Sequence, residues 1–156
     1  MNWFFDLIQN PFLITSISSW AIAQVLKTII HWCVYKKLDL GRLHGDGGMP
    51  SCHSATVASL AMICALVKGT GSAEFAISLI LAIIVCHDAM GVRRETGRQA
   101  VVLNELTRLI NILSSEELPA AKLKEFVGHT PLQVTVGILL GIAHAVLMYN
   151  ILPGLR

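Results

Sequence analysis

Apolar residues in this chain come in long unbroken runs rather than in alternation. There are four of them: Pro11 to about Tyr35, Cys52 to Val67, Ala73 to about Met90, and Pro131 to about Leu152. Each is near the ~20 residues, with a range of roughly 17–25, that a helix needs to cross the hydrocarbon core of a bilayer. Length and the lack of strict alternation favour helix over strand. The second run is the shortest and is rich in small residues, so it spans only if it extends at an end or packs inside a bundle. A fifth segment has a different pattern. Val101 to Leu113 reads V-V-L-N-E-L-T-R-L-I-N-I-L, with apolar residues at helical spacing and Asn104, Glu105, Arg108 and Asn111 between them. That pattern predicts an amphipathic interfacial helix, too short and too polar to span. Arg94 to Ala100 ahead of it is polar, and Ser114 to Gly128 behind it reads as a surface loop or short helix.

Composition agrees with the runs. Of 156 residues, 54 % are apolar and only 14 % are charged, and mean hydropathy is +0.63. A soluble domain averages roughly 25 % charged residues, and a disordered chain is far less apolar than this one. The reading is an all-α integral membrane bundle of about four spanning helices and one interfacial helix, forming one unit over residues 1–156. Twelve Lys and Arg against ten Asp and Glu leave a net charge of +2, too small for a chain-wide attraction to nucleic acid. Cys33, Cys52, Cys64 and Cys86 lie in or beside apolar runs with no C-x-x-C pair, and read as buried free thiols. Met1 to Leu13 has neither a basic start nor a small-residue cleavage site, so no cleavable signal peptide is expected.

Three crossings followed by a non-crossing helix put the 36–50 loop and the 91–128 segment on one face. The fourth run starts from that same face. Nine basic residues sort there: Lys36, Lys37, Arg42, Arg93, Arg94, Arg98, Arg108, Lys122 and Lys124. Lys68 and Arg156 fall on the other, with Lys27 inside a span. The positive-inside rule then makes the nine-residue face cytoplasmic, which in a bacterium means the cytoplasmic side of the inner membrane.

The same face collects the chemistry. Gly45-Asp46-Gly47-Gly48-Met49-Pro50-Ser51-Cys52-His53-Ser54 joins a glycine-rich turn to a helix start. A helix N-terminus offers unpaired N–H groups and a positive dipole end to an anion, and His53 in the first turn adds a proton donor. His87-Asp88 is followed by Arg93, Arg94 and Arg98, whose forked guanidinium groups match phosphate or carboxylate. Gly128-His129-Thr130-Pro131-Leu132-Gln133 opens the last run, and Gln133, Gly137, Gly141 and Ala145 then recur every four residues, a stripe that lets another helix approach closely. Gln24, Lys27 and His31 share one face of the first run, and a lysine within a span faces protein or water.

Pro50-Ser51-Cys52-His53 resembles the Pro-Ser-Gly-His motif of the type 2 phosphatidic acid phosphatase and vanadium haloperoxidase superfamily. Gly128-His129-Thr130-Pro131-Leu132-Gln133-Val134-Thr135-Val136-Gly137 looks like its last motif, and residues 11–150 as a whole resemble a divergent membrane-embedded branch. The resemblance implies His129 as a nucleophile that forms a phosphohistidine and His53 as the general acid. It also implies that Ser51 and the nearby N–H groups help hold phosphate, with no metal and no cofactor; Arg93, Arg94 and Arg98 are read as replacing cations the family's motifs supply, and Lys27 as within reach of the bound anion. Gln133 stands where the family has an Asp that orients the nucleophile. Leu123, flanked by Lys122 and Lys124, stands where it has an Arg, and Lys36 with Arg42 only approximates its Lys-x6-Arg-Pro motif. Asp46 and Asp88 fall to supporting roles.

The expected activity is hydrolysis of a phosphomonoester or pyrophosphate on an anionic membrane lipid. The alternatives are a non-catalytic binder or transporter of anionic lipid using the same pocket, and a metal-dependent enzyme using Asp46, Asp88, Glu95 and histidines. The bilayer and an anionic lipid phosphate are the expected partners. Four helices make a thin wall for a pocket, which leaves a homo-oligomer open.

Overall fold

The computed structural model describes residues 3–36, 48–113, 123 and 128–152. The described residues are helical, with no strand: α1 (Trp3–Ile8), α2 (Pro11–Tyr35), α3 (Cys52–Lys68), α4 (Ala73–Met90), α5 (Val92–Leu113) and α6 (Pro131–Ile151). Three helical runs, α2, α4 with its continuation, and α6, are long and apolar enough to cross a membrane; α3 is apolar but shorter.

Each spanning run begins where its sequence supplies a cap. The Asn10 side chain accepts from the amides of Phe12 and Leu13, with Pro11 following. Ser51 caps α3 through the Ser54 amide, and Ser72 caps α4 through that of Phe75. Thr130 and Gln133 form a reciprocal capping box at α6. These side chains take up amides that the first turn leaves without intrahelical partners.

Burial is inverted relative to a soluble protein. The interior is half polar, with Thr15, Ser19, Ser51, Ser54 and Ser59 fully enclosed, while Ile77, Ile80, Ile83 and Ile84 of α4 and Leu139 and Leu147 of α6 face outward. In water such a surface would be an aggregation patch. In a bilayer the outside solvent is hydrocarbon, and packing is driven by close contact of small residues.

α3 is the central helix, touched by α2, α4 and α6. Its short length is tolerable because protein rather than lipid surrounds it. α6 runs parallel to α3, and the predicted stripe is the contact: a Cβ on Gly137 would lie 2.5 Å from the Ser51 carbonyl oxygen, and one on Gly141 would lie 2.3 Å from that of Ala55. α2 runs antiparallel to α3. Ser19 donates to the Ala55 carbonyl at 3.2 Å, and Ala23 meets Cys52 and Ala55. Ser18 gives its proton to the Ile14 carbonyl (2.6 Å) and accepts from His144 Nε2 (2.8 Å), tying α2 to α6. α2 therefore ends, α3 and α6 begin, and α4 ends at one face.

Two expectations need correction. Cys33 is exposed on α2 and Cys86 on α4 is only partly buried, although all four thiols are free. The amphipathic helix begins at Val92, nine residues before Val101, because Arg94 to Ala100 is itself helical. Its residues are mostly good helix formers, and Glu95 pairs with Arg98 one turn on. Leu103, Leu106, Ile110 and Leu113 form an exposed apolar face on α5.

Candidate functional site

His53 lies in the first turn of α3, and His129 sits one residue before the Thr130 cap of α6. Because the helices are parallel, both N-termini open at one face; the Ser51 amide donates to the Gln133 carbonyl at 3.1 Å and joins the two starts. The rings of His53 and His129 lie 6.4 Å apart between centroids, tilted by 58°. Two helix N-termini, each the positive end of its dipole, thus meet beside two imidazoles.

His129 is held from three sides. Its amide donates to the Ala89 carbonyl near the end of α4 at 2.9 Å. Its Nδ1 lies 3.2 Å from Gln133 Oε1, and that same oxygen accepts the Thr130 amide at 3.1 Å. A backbone amide can only donate, so the Gln133 atom is the oxygen and His129 Nδ1 carries the proton. The lone pair is then on Nε2. Gly128, with φ +87°, packs against the backbone where α5 begins: a Cβ there would lie 2.4 Å from the Arg94 amide nitrogen. Only glycine satisfies both demands. This contact brings the arginine-bearing start of α5 to the histidine.

The predicted cations divide. Arg93 is partly committed, its Nε donating to Asp88 Oδ2 at 3.0 Å. Arg94 is exposed and has no ion pair among the described residues. Arg98 pairs with Glu95 at 3.3 Å and lies a turn further along α5. Lys27 is 2 % exposed. The α2–α3 register pairs Ser19 with Ala55 and Ala23 with Cys52, and the next turn of α2 sets Lys27 level with the start of α3. On neighbouring turns of α2, Gln24 Oε1 and His31 Nδ1 are buried with no hydrogen-bond partner among the described residues, and His31 stacks on Tyr35. Ser51 is fully enclosed, and its oxygen accepts from both the amide and the hydroxyl of Ser54; its local work is to cap α3. Asp46, Lys37, Arg42, Lys122 and Lys124 lie outside the described residues. Among the described residues no three His, Cys, Asp or Glu are grouped to hold a metal ion.

Sequence reasoning did not find three features. Cys52 Sγ lies 3.8 Å from His53 Nδ1. Ala89 contributes only a carbonyl, which leaves no trace in residue type. Asn104 clamps the Leu123 backbone, accepting its amide at 3.0 Å and donating to its carbonyl at 2.9 Å; an asparagine at the polar edge of an amphipathic helix was the one available signal.

The fold and the site define a class: a helical membrane protein with paired histidines where two parallel helices begin. Within that class the chain belongs to the divergent PAP2 family, whose model matches residues 8–144. It is similar to the uncharacterized membrane protein YuiD of Bacillus subtilis strain 168, at 41 % identity over 148 residues covering 88 % of this chain and 92 % of that protein. No solved structure matches it.

Proposed function

We propose that this protein removes a phosphoryl group from a membrane lipid phosphomonoester or pyrophosphate, with His129 as nucleophile and His53 as general acid. The observation that carries the reading is the His129 tautomer, with its Nδ1 proton committed to Gln133 and its lone pair on Nε2. A neutral imidazole held this way is a competent nucleophile. Nε2 attacks phosphorus; a P–N bond forms as the P–O bond to the lipid breaks, and His53 gives its proton to the departing oxygen. Water then attacks phosphorus, His53 takes a proton from it, the P–N electron pair returns to Nε2, and phosphate leaves. Nε2 has to stand about 3 Å from phosphorus and the His53 donor about 3 Å from the departing oxygen, and rings 6.4 Å apart between centroids support both reaching one phosphoryl group. Lys27, Arg93, Arg94 and Arg98, with the amides of the two helix starts, are the charge available to the phosphoryl oxygens.

The basic asymmetry of the loops supports a cytoplasmic site on a bacterial inner membrane. The deciding experiment is phosphate release from a panel of lipid phosphates by the purified protein, with and without chelator. Release that resists chelator and disappears in His129→Ala is expected; turnover surviving in His129→Ala overturns the mechanism.

Gln133 favours one second reading. An amide orients the imidazole but cannot stabilise an imidazolium by charge, which suits a site that binds anionic lipid without turning it over. Saturable lipid binding lost in Arg94→Ala, with no release of phosphate, would select it.

A further inference from the structure

A groove of about 480 Å³ runs along the bundle between α4 and α6, with α3 as its floor. It exists because α4 and α6 both pack on α3 and hardly on each other. Its walls include Phe75, Ala82 and Met90 of α4 and Ile138 and Ile142 of α6, and Ala61 lies at its base. Small residues on the floor leave a channel open along its side, where the lining residues Leu79 and Ile83 are themselves exposed.

We infer that this groove holds one hydrocarbon chain of a bilayer lipid whose phosphate head lies at the histidine site. The inference deepens the function proposed above and relies on it only for the head group. Three observations choose this occupant. First, the groove lies at the depth of the spanning helices, where its surroundings are hydrocarbon and irregular backbone or water is excluded. Second, from Phe75 to Met90 it follows fifteen residues of helix, about 22 Å at 1.5 Å per residue, which exceeds the ~15 Å of a single leaflet's hydrocarbon; it suits an extended chain. Third, its upper end lies next to a residue that holds the site. Met90 adjoins Ala89, whose carbonyl holds His129, and Arg93 and Arg94 follow within four residues, so the anionic head of a molecule lying in the groove meets positive charge. A helix from a second copy would instead have to run its end into that charged face. Because bilayer and groove are equally apolar, the groove contributes position more than affinity: it fixes the chain so that the head lies between the rings.

The test is photo-labelling of the full-length protein in phosphatidylcholine nanodiscs carrying a trace of phosphatidic acid with a diazirine near its chain end. Labels should concentrate on groove residues such as Leu79 and Ile142. Ala82→Trp, which fills the channel, should cut that labelling about tenfold, equivalent to ~1.4 kcal/mol, while Ile84→Trp on the outer face of α4 should not. A phosphatidylcholine probe with the same chain should label the groove far less. Labels spread evenly over the outward faces of α2, α4 and α6, equal labelling by both probes, or cross-links between two copies through the groove would each overturn the inference. The wild-type map needs no variant to fold. If no lipid phosphate is hydrolysed, the phosphatase reading fails while groove labelling still decides this one; if hydrolysis proceeds with unlocalised labels, the groove fails alone.

Discussion

His129 and Gln133 are joined by a bond whose direction is set from outside the pair: the Thr130 amide donates to Gln133 Oε1, so His129 Nδ1 donates to it as well. One oxygen therefore both closes the capping box of α6 and orients an imidazole, so helix start and site geometry are coupled.

That coupling predicts opposite outcomes for two substitutions at residue 133. Gln133→Leu removes the acceptor for both donors. It should cost about 1 kcal/mol of stability through the cap and should lower turnover further, because His129 loses its tautomer restraint. Gln133→Asp keeps an acceptor oxygen and adds a charge that stabilises the imidazolium form. Turnover should rise by roughly tenfold or more, since the reverse exchange of Asp for an amide beside a catalytic histidine costs about 10⁴. Steady-state phosphate release from a lipid phosphate, with thermal unfolding alongside, separates the two effects. Equal rates in Gln133→Asp and wild type would remove Gln133 from the chemistry.

Gly128 carries the second prediction. With φ +87° and a Cβ that would sit 2.4 Å from the Arg94 amide, Gly128→Ala combines backbone strain of roughly 1–3 kcal/mol with a backbone clash. The start of α5 should move away from His129, lowering activity even where the bundle survives. Gly141→Leu, by contrast, should damage the bundle itself, since its new side chain would displace α3 at Ala55. Unfolding midpoints in detergent should fall more for Gly141→Leu, and the ratio of activity lost to stability lost should be larger for Gly128→Ala.

Much of this was readable before any coordinates. Each span was legible as an apolar run, and the stripe at Gly137 and Gly141 declared the helix contact. α1 escaped because six residues are too few to display a period. The early start of α5 escaped because a polar helix lying at an interface has no apolar face in its first two turns. Within the site, residue types marked His53 and His129, but the links that place them are backbone ones: the Ala89 carbonyl, the Arg94 amide beneath Gly128, and the Leu123 backbone held by Asn104 nineteen residues away. Side-chain identity carries little record of such contacts, and a sequence read alone cannot pair them.

The charge asymmetry makes a third prediction. In a background where Cys33 is serine, cysteines introduced at Lys68 and Lys122 should react with a membrane-impermeant maleimide from opposite sides, with position 122 labelled only after the cytoplasmic side is opened. The basis is the expectation from sequence that nine basic residues fall on one face and two on the other. Labelling of position 122 in intact cells would reverse the orientation and leave the histidine site as described.

The two histidines should differ in how their loss depends on the leaving group. In the proposed mechanism His129→Ala removes the nucleophile, which every substrate needs, so no substrate should turn over and no phosphoenzyme should form on rapid acid quench. His53→Ala removes the acid, and an acid matters in proportion to the basicity of the departing oxygen. A lipid alkoxide is strongly basic; its hydrolysis should slow by roughly 10²–10⁴. A nitrophenolate leaves without help, so the first step with nitrophenyl phosphate, read as the burst of nitrophenolate, should lose far less rate, and phosphohistidine should still form from it. In that variant the second step becomes limiting, because the base that activates water is also gone, and phosphoenzyme should accumulate as a burst. Chelator should leave all these rates unchanged, since the proposed mechanism draws its positive charge from Lys27, Arg93, Arg94, Arg98 and two helix starts. A uniform loss of the burst-phase rate across both leaving groups in His53→Ala would remove it from the role of acid, and loss of wild-type activity with chelator, restored by magnesium, would point to a metal-dependent reaction instead.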